Sequence, residues 1–210
     1  MIVDELKIEK GSKVAVVGPS GSGKTTLLNL ICGISIPQSG EVRIDQQVIS
    51  RMSDSARRNF RIAQIGLVFQ QFELVEYLNL TDNILFPFFV NSSLKSQQPD
   101  NRSVVELARG MGLADKLKRY PGQLSQGEQQ RVAICRAMIT NPGIILADEP
   151  TGNLDPKNKN RILDLLFQRC VADGKTLLVV THDMNILAGF DEVIDFDQFR
   201  WDGSGQDGLA

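Results

Sequence analysis

Residues 13–25 have the sequence Lys-Val-Ala-Val-Val-Gly-Pro-Ser-Gly-Ser-Gly-Lys-Thr. Its first five residues are mainly apolar and predict a buried strand, while its last eight match the pattern Gly-x-x-x-x-Gly-Lys-Ser/Thr in full. The following residues, from Thr25 to Cys32, carry Leu27, Leu28, Leu30 and Ile31 and predict a helix. A strand, a glycine-rich turn and a helix in this order are the context of a phosphate-binding loop, so the stretch predicts an α/β domain built around one.

The residue types of this loop suit a chain of phosphates. Glycines let the backbone curl so that successive N–H groups point at phosphate oxygens, and the N-terminus of the helix adds a partial positive charge. Lys24 is expected to reach the terminal phosphates, and the Thr25 hydroxyl is expected to ligate Mg²⁺. The predicted nucleotide-binding residues are Gly18, Pro19, Ser20, Gly21, Ser22, Gly23, Lys24, Thr25 and Thr26.

Further apolar runs alternate with helical stretches, which predicts the α/β class with a central, mainly parallel sheet. Antiparallel β elements are expected near the N-terminus. The predicted strands beyond the first are 41–44, 64–69, 144–147, 176–180 and, as a late edge strand, 192–196.

The character of the chain changes after Leu80, which indicates an inserted segment. Polar residues 91–102 predict a loop, and residues 104–111 predict a helix. We therefore expect one domain in which a mainly helical subdomain, 80–140, interrupts an α/β core formed by 1–79 and 141–210. The glycine-rich tail from Gly203 is expected to be frayed.

Composition narrows the class of protein. The 210 residues include 23 Lys and Arg against 25 Asp and Glu, a formal net charge of −2, and 42% are apolar. This amino-acid composition excludes collagenous, disordered and disulfide-rich chains. The near-neutral net charge argues against a nucleic-acid partner. The apolar runs fall short of the roughly 20 residues that span a bilayer, and no signal-peptide pattern is seen. Three widely spaced cysteines predict buried free thiols in the cytoplasm: Cys32, Cys135 and Cys170.

Two acids follow the apolar run 144–147 and are candidate catalytic groups. The carboxyl ends of parallel strands meet at the ligand-binding edge of a sheet, so Asp148 is expected beside the phosphate loop as a Mg²⁺ ligand. Glu149 is expected to accept a proton from an attacking water. Two solvated acids in a turn are the alternative.

Two further polar residues follow predicted strands. Gln70 comes after the strand 64–69, where a neutral amide bridges Mg²⁺ and the attacking water without adding charge. His182 is the only histidine and follows the strand 176–180, which favours a contact with the γ-phosphate. Polar turn residues and a structural histidine are the respective alternatives.

Residues 124–131, Leu-Ser-Gln-Gly-Glu-Gln-Gln-Arg, precede a predicted helix and indicate a second anion site. Ser125 is expected to cap this helix, and Glu128 completes a capping box. A well-capped helix with no further role is the alternative. A second anion site is useful if it closes over a nucleotide held by a partner subunit.

At this point the sequence resembles the ATP-binding cassette family over about residues 10–197. The motifs occur in family order: 18–25, Gln70, 124–128, Asp148 with Glu149, Asn153-Leu-Asp155, and His182. The resemblance implies ATP and Mg²⁺ as cofactors and two copies packed head to tail. Each ATP then lies between the phosphate loop of one copy and the signature, Ser125 with Gly127, of the other, and Asp155 contributes to binding.

The resemblance also implies a membrane partner. The segments 69–74 and 83–87 look like the branch of lipoprotein-release and macrolide-export ATPases, which act on permease subunits at the cytoplasmic face of the membrane. In the family, a short helix of the permease enters the cleft between core and helical subdomain. Exposed aromatic and apolar side chains of the segment 70–91 are the expected contact, and packing inside the helical subdomain is the alternative for this set. The alternative function is a soluble cassette acting on DNA or ribosomes.

Two features depart from the family pattern. The usual signature is Leu-Ser-Gly-Gly-Gln, whereas this chain has Gln126 and Glu128 in place of the first Gly and the final Gln. A negative charge at residue 128 opposes a γ-phosphate unless the side chain turns away into the capping box. In addition, residues 1–11 contain no aromatic side chain to stack on adenine, so we expect weak ATP affinity and little preference over GTP unless a partner or an upstream extension supplies one.

Overall fold

The structure, a computed structural model, describes residues 2–152 and 154–199. Asn153, which belongs to the motif Asn153-Leu-Asp155, and the glycine-rich tail from Gly203 lie outside the described residues. The strands are β1 Lys13–Val17, β2 Arg43–Ile44, β3 Gln47–Val48, β4 Ile65–Val68, β5 Ile144–Asp148, β6 Thr176–Thr181 and β7 Glu192–Asp195. The α-helices are α1 Lys24–Ile31, α2 Asp54–Gln64, α3 Leu80–Val90, α4 Asn101–Gly110, α5 Gln126–Met138 and α6 Pro156–Ala172.

Five strands form a parallel sheet in the order β4-β5-β6-β1-β7, and β2 pairs with β3 as a short antiparallel ribbon. The predicted α/β class, parallel sheet and N-terminal antiparallel element are therefore confirmed. The predicted edge strand is β7. The predicted strand 41–44 is shorter in the structure and spans only Arg43–Ile44.

Each central strand alternates its side chains between two apolar layers, which explains why these runs are apolar throughout. In β6, Leu178 and Val180 face a layer that also contains Leu27 and Leu28 of α1. Leu177 and Val179 face the opposite layer, which is filled by residues of α3, α4, α5 and α6. The three cysteines are buried and free, as predicted, and burial raises the pKa of Cys135 to about 12.

The predicted loop over 91–102 is wrong except at residues 91 and 98–100, because two of its polar residues cap helices. Asn91 caps a 3₁₀ helix, Ser92–Gln97, by accepting a hydrogen bond from the N–H of Ser93 at 2.9 Å. Asp100 caps α4 and accepts from the N–H of Ser103 at 2.8 Å. Short polar side chains that satisfy the first free N–H groups of a helix also occur in loops, so composition does not separate the two.

The signature helix α5 packs directly on the sheet at Gly66 of β4. A Cβ atom added to Gly66 would lie 2.3 Å from the carbonyl oxygen of Ala137 in α5 and 2.7 Å from Cδ1 of Ile145. Only glycine permits this approach of helix and strand. Among the described residues, no helix combines the length and the hydropathy that crossing a membrane requires.

Candidate nucleotide site

The phosphate loop joins β1 to α1 and is wound around Lys24. Gly21 and Gly23 have φ of +78° and +106°, values that glycine adopts without strain, and Gly23 is the N-cap of α1. The Lys24 side chain is buried, and its Nζ donates to the carbonyl oxygens of Gly18 at 2.7 Å and Pro19 at 2.8 Å. The loop is therefore a closed turn with its ammonium group at the centre.

A polar atom inside the loop fits an anion. The hydroxyl oxygen of Ser22 is buried and has no hydrogen-bond partner among residues 2–152 and 154–199. Buried hydroxyls are normally paired, so an unpaired one at a helix N-terminus suits a phosphate oxygen. The remaining predicted loop and first-turn residues are accessible: Pro19, Ser20, Gly21, Thr25 and Thr26 are exposed.

Asp148, at the carboxyl end of β5, lies beside the loop as predicted. The hydroxyl of Thr25 donates to its Oδ2 at 3.0 Å. The pKa of Asp148 is raised, mainly by burial and also by the charge of Glu149, although the hydrogen bond from Thr25 opposes this shift. A carboxylate and a hydroxyl are oxygen ligands of the kind that Mg²⁺ takes together with phosphate oxygens and waters. Within the described part of the chain, no cluster of three or more His, Cys, Asp or Glu side chains forms a complete cage.

The Glu149 carboxylate is held by two groups from the end of β6. Thr181 Oγ1 donates to Oε2 at 3.0 Å, and Nδ1 of His182 lies 2.6 Å from Oε1. The backbone of Glu149 has φ of +45°, and its N–H donates to the carbonyl of Val180 at 3.0 Å. A non-glycine residue in this region is strained, which is typical of functional sites. The side chain of Glu149 is 12% exposed and that of His182 is 56% exposed.

Gln70 follows β4 and reaches the turn after Glu149. A Cβ atom added to Gly152 in this turn would lie 3.0 Å from Nε2 of Gln70, so a larger residue there would press on the amide. The structure thus brings the phosphate loop, the acid pair, the histidine and the glutamine to one edge of the sheet.

The loop after Gln70 is anchored by Arg136 and Asn83, for which the sequence predicted no such role. Arg136 of α5 donates to the carbonyl oxygens of Phe72, at 2.7 Å, and Glu73. Asn83 of α3 is fully buried, accepts from the N–H of Val75 at 2.8 Å and donates to its carbonyl oxygen at 3.0 Å. A lone amide among the apolar residues of α3 was the signal that would have identified Asn83.

The signature forms the capping box predicted for α5. Ser125 is the N-cap, its hydroxyl accepts from the N–H of Glu128 at 3.4 Å, and its own N–H donates to Oε2 of Glu128 at 2.8 Å. Glu128 therefore turns into the capping box. It also forms an ion pair with Lys116, and this hydrogen bond lowers the pKa of Glu128 to about 2.

Gly127 of the signature lies against the start of α6. It is buried, and a Cβ atom there would lie 3.4 Å from Cγ of Asn158. Asp155 caps α6 and accepts from the N–H of Asn158 at 3.1 Å and from its Nδ2 at 2.6 Å. Among the described residues, no hydrogen bond joins Ser125 or Gly127 to the phosphate loop. Within the described residues, the first turn of α5 therefore makes its hydrogen bonds elsewhere than at the phosphate loop.

Comparison with known proteins places this geometry in a family. The model of a family described as "ABC transporter" matches residues 3–152. The chain is 40% identical over 196 residues to the lipoprotein-releasing system ATP-binding protein LolD of Chromohalobacter salexigens, covering 93% of this chain and 82% of the relative. It is 42% identical to LolD of Bacteroides thetaiotaomicron, covering 85% and 81%. The predicted likeness to the lipoprotein-release branch is confirmed by these relatives.

A solved structure agrees with both sequence and fold. The chain is 38% identical to the cassette described as "Dimeric Structure of MJ0796, a Bacterial ABC Transporter Cassette", with a TM-score of 0.77 over 91% of this chain and 84% of that one. The same cassette is also known in a dimeric post-hydrolysis state bound to ADP and Pi, with the same identity and TM-score. This chain belongs to the ABC transporter family, as one of its ATP-binding and ATP-hydrolysing subunits.

Proposed function

We propose that two copies of this chain close head to tail over two ATP molecules and use their hydrolysis to drive an integral membrane permease subunit. One observation supports the proposal of a head-to-tail dimer. The phosphate loop and Glu149 share an edge of the sheet, whereas the signature, which also suits an anion, makes no hydrogen bond to that loop within the described chain. A second copy supplies the missing half of each site, and the dimeric relative supports this arrangement.

The geometry supports a role for each residue of the edge. Lys24 and the loop amides bind the phosphates, and Thr25, Asp148 and Gln70 would hold Mg²⁺, which would offset the charge of the phosphates. Glu149, oriented by Thr181 and His182, accepts the proton of the attacking water. The second ring nitrogen of His182 is the one available for the γ-phosphate, because Nδ1 faces Glu149. From the partner copy, Ser125, Gly127 and Asp155 complete the site.

The membrane side of the proposal is supported by two LolD relatives and by an exposed apolar surface. Tyr77 in the loop after Gln70 is 82% exposed, and Phe89 and Val90 at the end of α3 are 49% and 56% exposed. The other aromatics of 70–91 are buried or half-buried. We propose that these three side chains contact the permease at the cytoplasmic face of the membrane, and that nucleic acid is not a partner.

ATP is expected to convert the protein from monomer to dimer when hydrolysis is blocked. Glu149→Gln protein at tens of micromolar concentration should have the mass of a monomer without nucleotide and of a dimer with saturating ATP and Mg²⁺, as measured by light scattering. Lys24→Met added to the same variant is the control, because without the ammonium group the loop holds the phosphates weakly. A monomer at saturating ATP in the first variant contradicts the proposal.

Removing Arg136 is expected to lower the turnover of ATP by about tenfold with little change in KM, because the loop after Gln70 loses its anchor on α5. Arg136→Met and the exposed control Arg102→Met, which loses only an ion pair with Glu106, are compared in a steady-state phosphate-release assay. A change in KM alone would show that the loop is not concerned with the chemical step.

A further inference from the structure

The signature of this chain contains an acid where a phosphate is expected to approach. Glu128 lies in the first turn of α5, next to Ser125 and Gly127. We propose that Lys116 is a positioning residue for the signature: it holds the Glu128 side chain in the capping box and offsets its charge, so that this turn accepts the γ-phosphate of an ATP bound by a second copy. The inference rests on the proposed function, and it assigns to Lys116 the role of letting a signature with an acid at residue 128 bind a phosphate.

Both oxygens of the Glu128 carboxylate are engaged on the side of the capping box. Oε1 pairs with the ammonium group of Lys116, which lies at the end of a 3₁₀ helix, Ala114–Lys116. Oε2 accepts from the N–H of Ser125 at 2.8 Å and from its hydroxyl at 3.0 Å. The two oxygens are thus bound by two different elements, the 3₁₀ helix Ala114–Lys116 and the N-cap of α5 itself.

The charge of Glu128 is balanced by a partner and not by protonation. Its pKa is lowered to about 2, first by the hydrogen bond from Lys116, so the carboxylate is ionised at neutral pH. The side chains of Lys116 and Glu128 are only 23% and 16% exposed, so the pair is screened less than a surface pair. Arg131 also interacts electrostatically with Glu128, but within the described residues only Lys116 donates a hydrogen bond to the carboxylate from another element.

Loss of Lys116 has two consequences for the signature. A carboxylate without its counter-charge repels a phosphate that approaches the same turn, and a repulsion of this kind across an interface is costly. The carboxylate also becomes a stronger acceptor for the single hydroxyl hydrogen of Ser125, which the phosphate needs as a donor. Both effects require the negative charge, so removing that charge as well should remove them.

The experiment is a double-mutant cycle on ATP-dependent dimerisation, measured by light scattering in the Glu149→Gln protein. Lys116→Met keeps the aliphatic stem and removes the charge, and we expect the protein concentration at half-dimerisation to rise about tenfold or more. Glu128→Gln alone and the double variant Lys116→Met/Glu128→Gln should dimerise within about twofold of the parent. Lys118→Met is the control, because Lys118 is exposed and forms no ion pair with any described residue.

The outcomes separate this inference from the proposed function. If the Glu149→Gln parent stays monomeric with ATP, the proposed head-to-tail dimer is overturned, and so is this role of Lys116. If the parent dimerises but Lys116→Met dimerises equally well, or if the double variant is as weak as Lys116→Met, the counter-charge role is overturned. Should Lys116→Met melt far below the parent, the comparison of Glu128→Gln with the double variant decides, because the inference requires those two to dimerise equally.

Discussion

Replacing Glu149 by glutamine is expected to lower the rate of ATP hydrolysis by about 10²–10⁴-fold while ATP binding is retained. The amide has nearly the size of the carboxylate and keeps hydrogen-bonding groups for Thr181 and His182, which hold the native side chain at 3.0 and 2.6 Å. It has no useful affinity for a proton, so the attacking water loses its base. Phosphate release under saturating ATP, together with a nucleotide titration, measures the two effects separately.

The matched control for this variant is Glu192→Gln, which makes the same chemical change at an exposed position of the edge strand β7. It should hydrolyse ATP at the parent rate. Turnover by Glu149→Gln within a few-fold of the parent would mean that another group accepts the proton, and Asp148 would then be the next residue to change.

Replacing Gly66 by alanine is expected to lower the free energy of unfolding by about 3 kcal/mol. The new methyl group would meet the carbonyl oxygen of Ala137 at 2.3 Å and Cδ1 of Ile145 at 2.7 Å. The first of these atoms belongs to the backbone of α5, so relief requires the whole helix to move away from β4. Chemical denaturation of the purified protein, followed by circular dichroism, gives the change in unfolding free energy.

Gly143→Ala is the control for Gly66→Ala, because it adds the same methyl group just before β5 where no atom lies within 4 Å. Gly143 does not have a positive φ, so alanine fits its backbone. This variant should unfold within about 0.5 kcal/mol of the parent. Equal stability of the two alanine variants would show that α5 does not pack on β4 as closely as described.

The strands and the phosphate loop were predictable because their signals are local. A buried parallel strand is an apolar run, and the loop motif is contiguous, so neither depends on distant residues. Helix α6 was not predicted, although Asp155 and Pro156 give the usual pattern of an N-cap followed by proline. The polar segment 91–102 was assigned to a loop because capping and loop residues are the same types.

Pairings within the site depend on the register of distant strands and could not be derived from the sequence. Glu149 meets His182 because β5 and β6 lie side by side with Asp148 opposite Val180. The ion pair of Lys116 with Glu128 joins the 3₁₀ helix Ala114–Lys116 to the first turn of α5, and the contact between these two helices is not encoded in a local motif. Motif spacing places each residue at the correct edge, but only the fold decides which atoms touch.

The attachment of α5 to the rest of the chain has a mechanical consequence. Its C-terminal end is clamped, by the contact of Ala137 with Gly66 and by the bonds of Arg136 to the loop after Gln70. Its N-terminal end carries Ser125, which precedes Ala137 by 12 residues, or about 18 Å along the helix axis. The helix is thus a lever with its fulcrum beside the sheet, and a rotation of about 10° there displaces the signature by roughly 3 Å. A movement of the loop that turned the helix at its clamped end would therefore be enlarged at its first turn, where the proposed contact with a second copy lies.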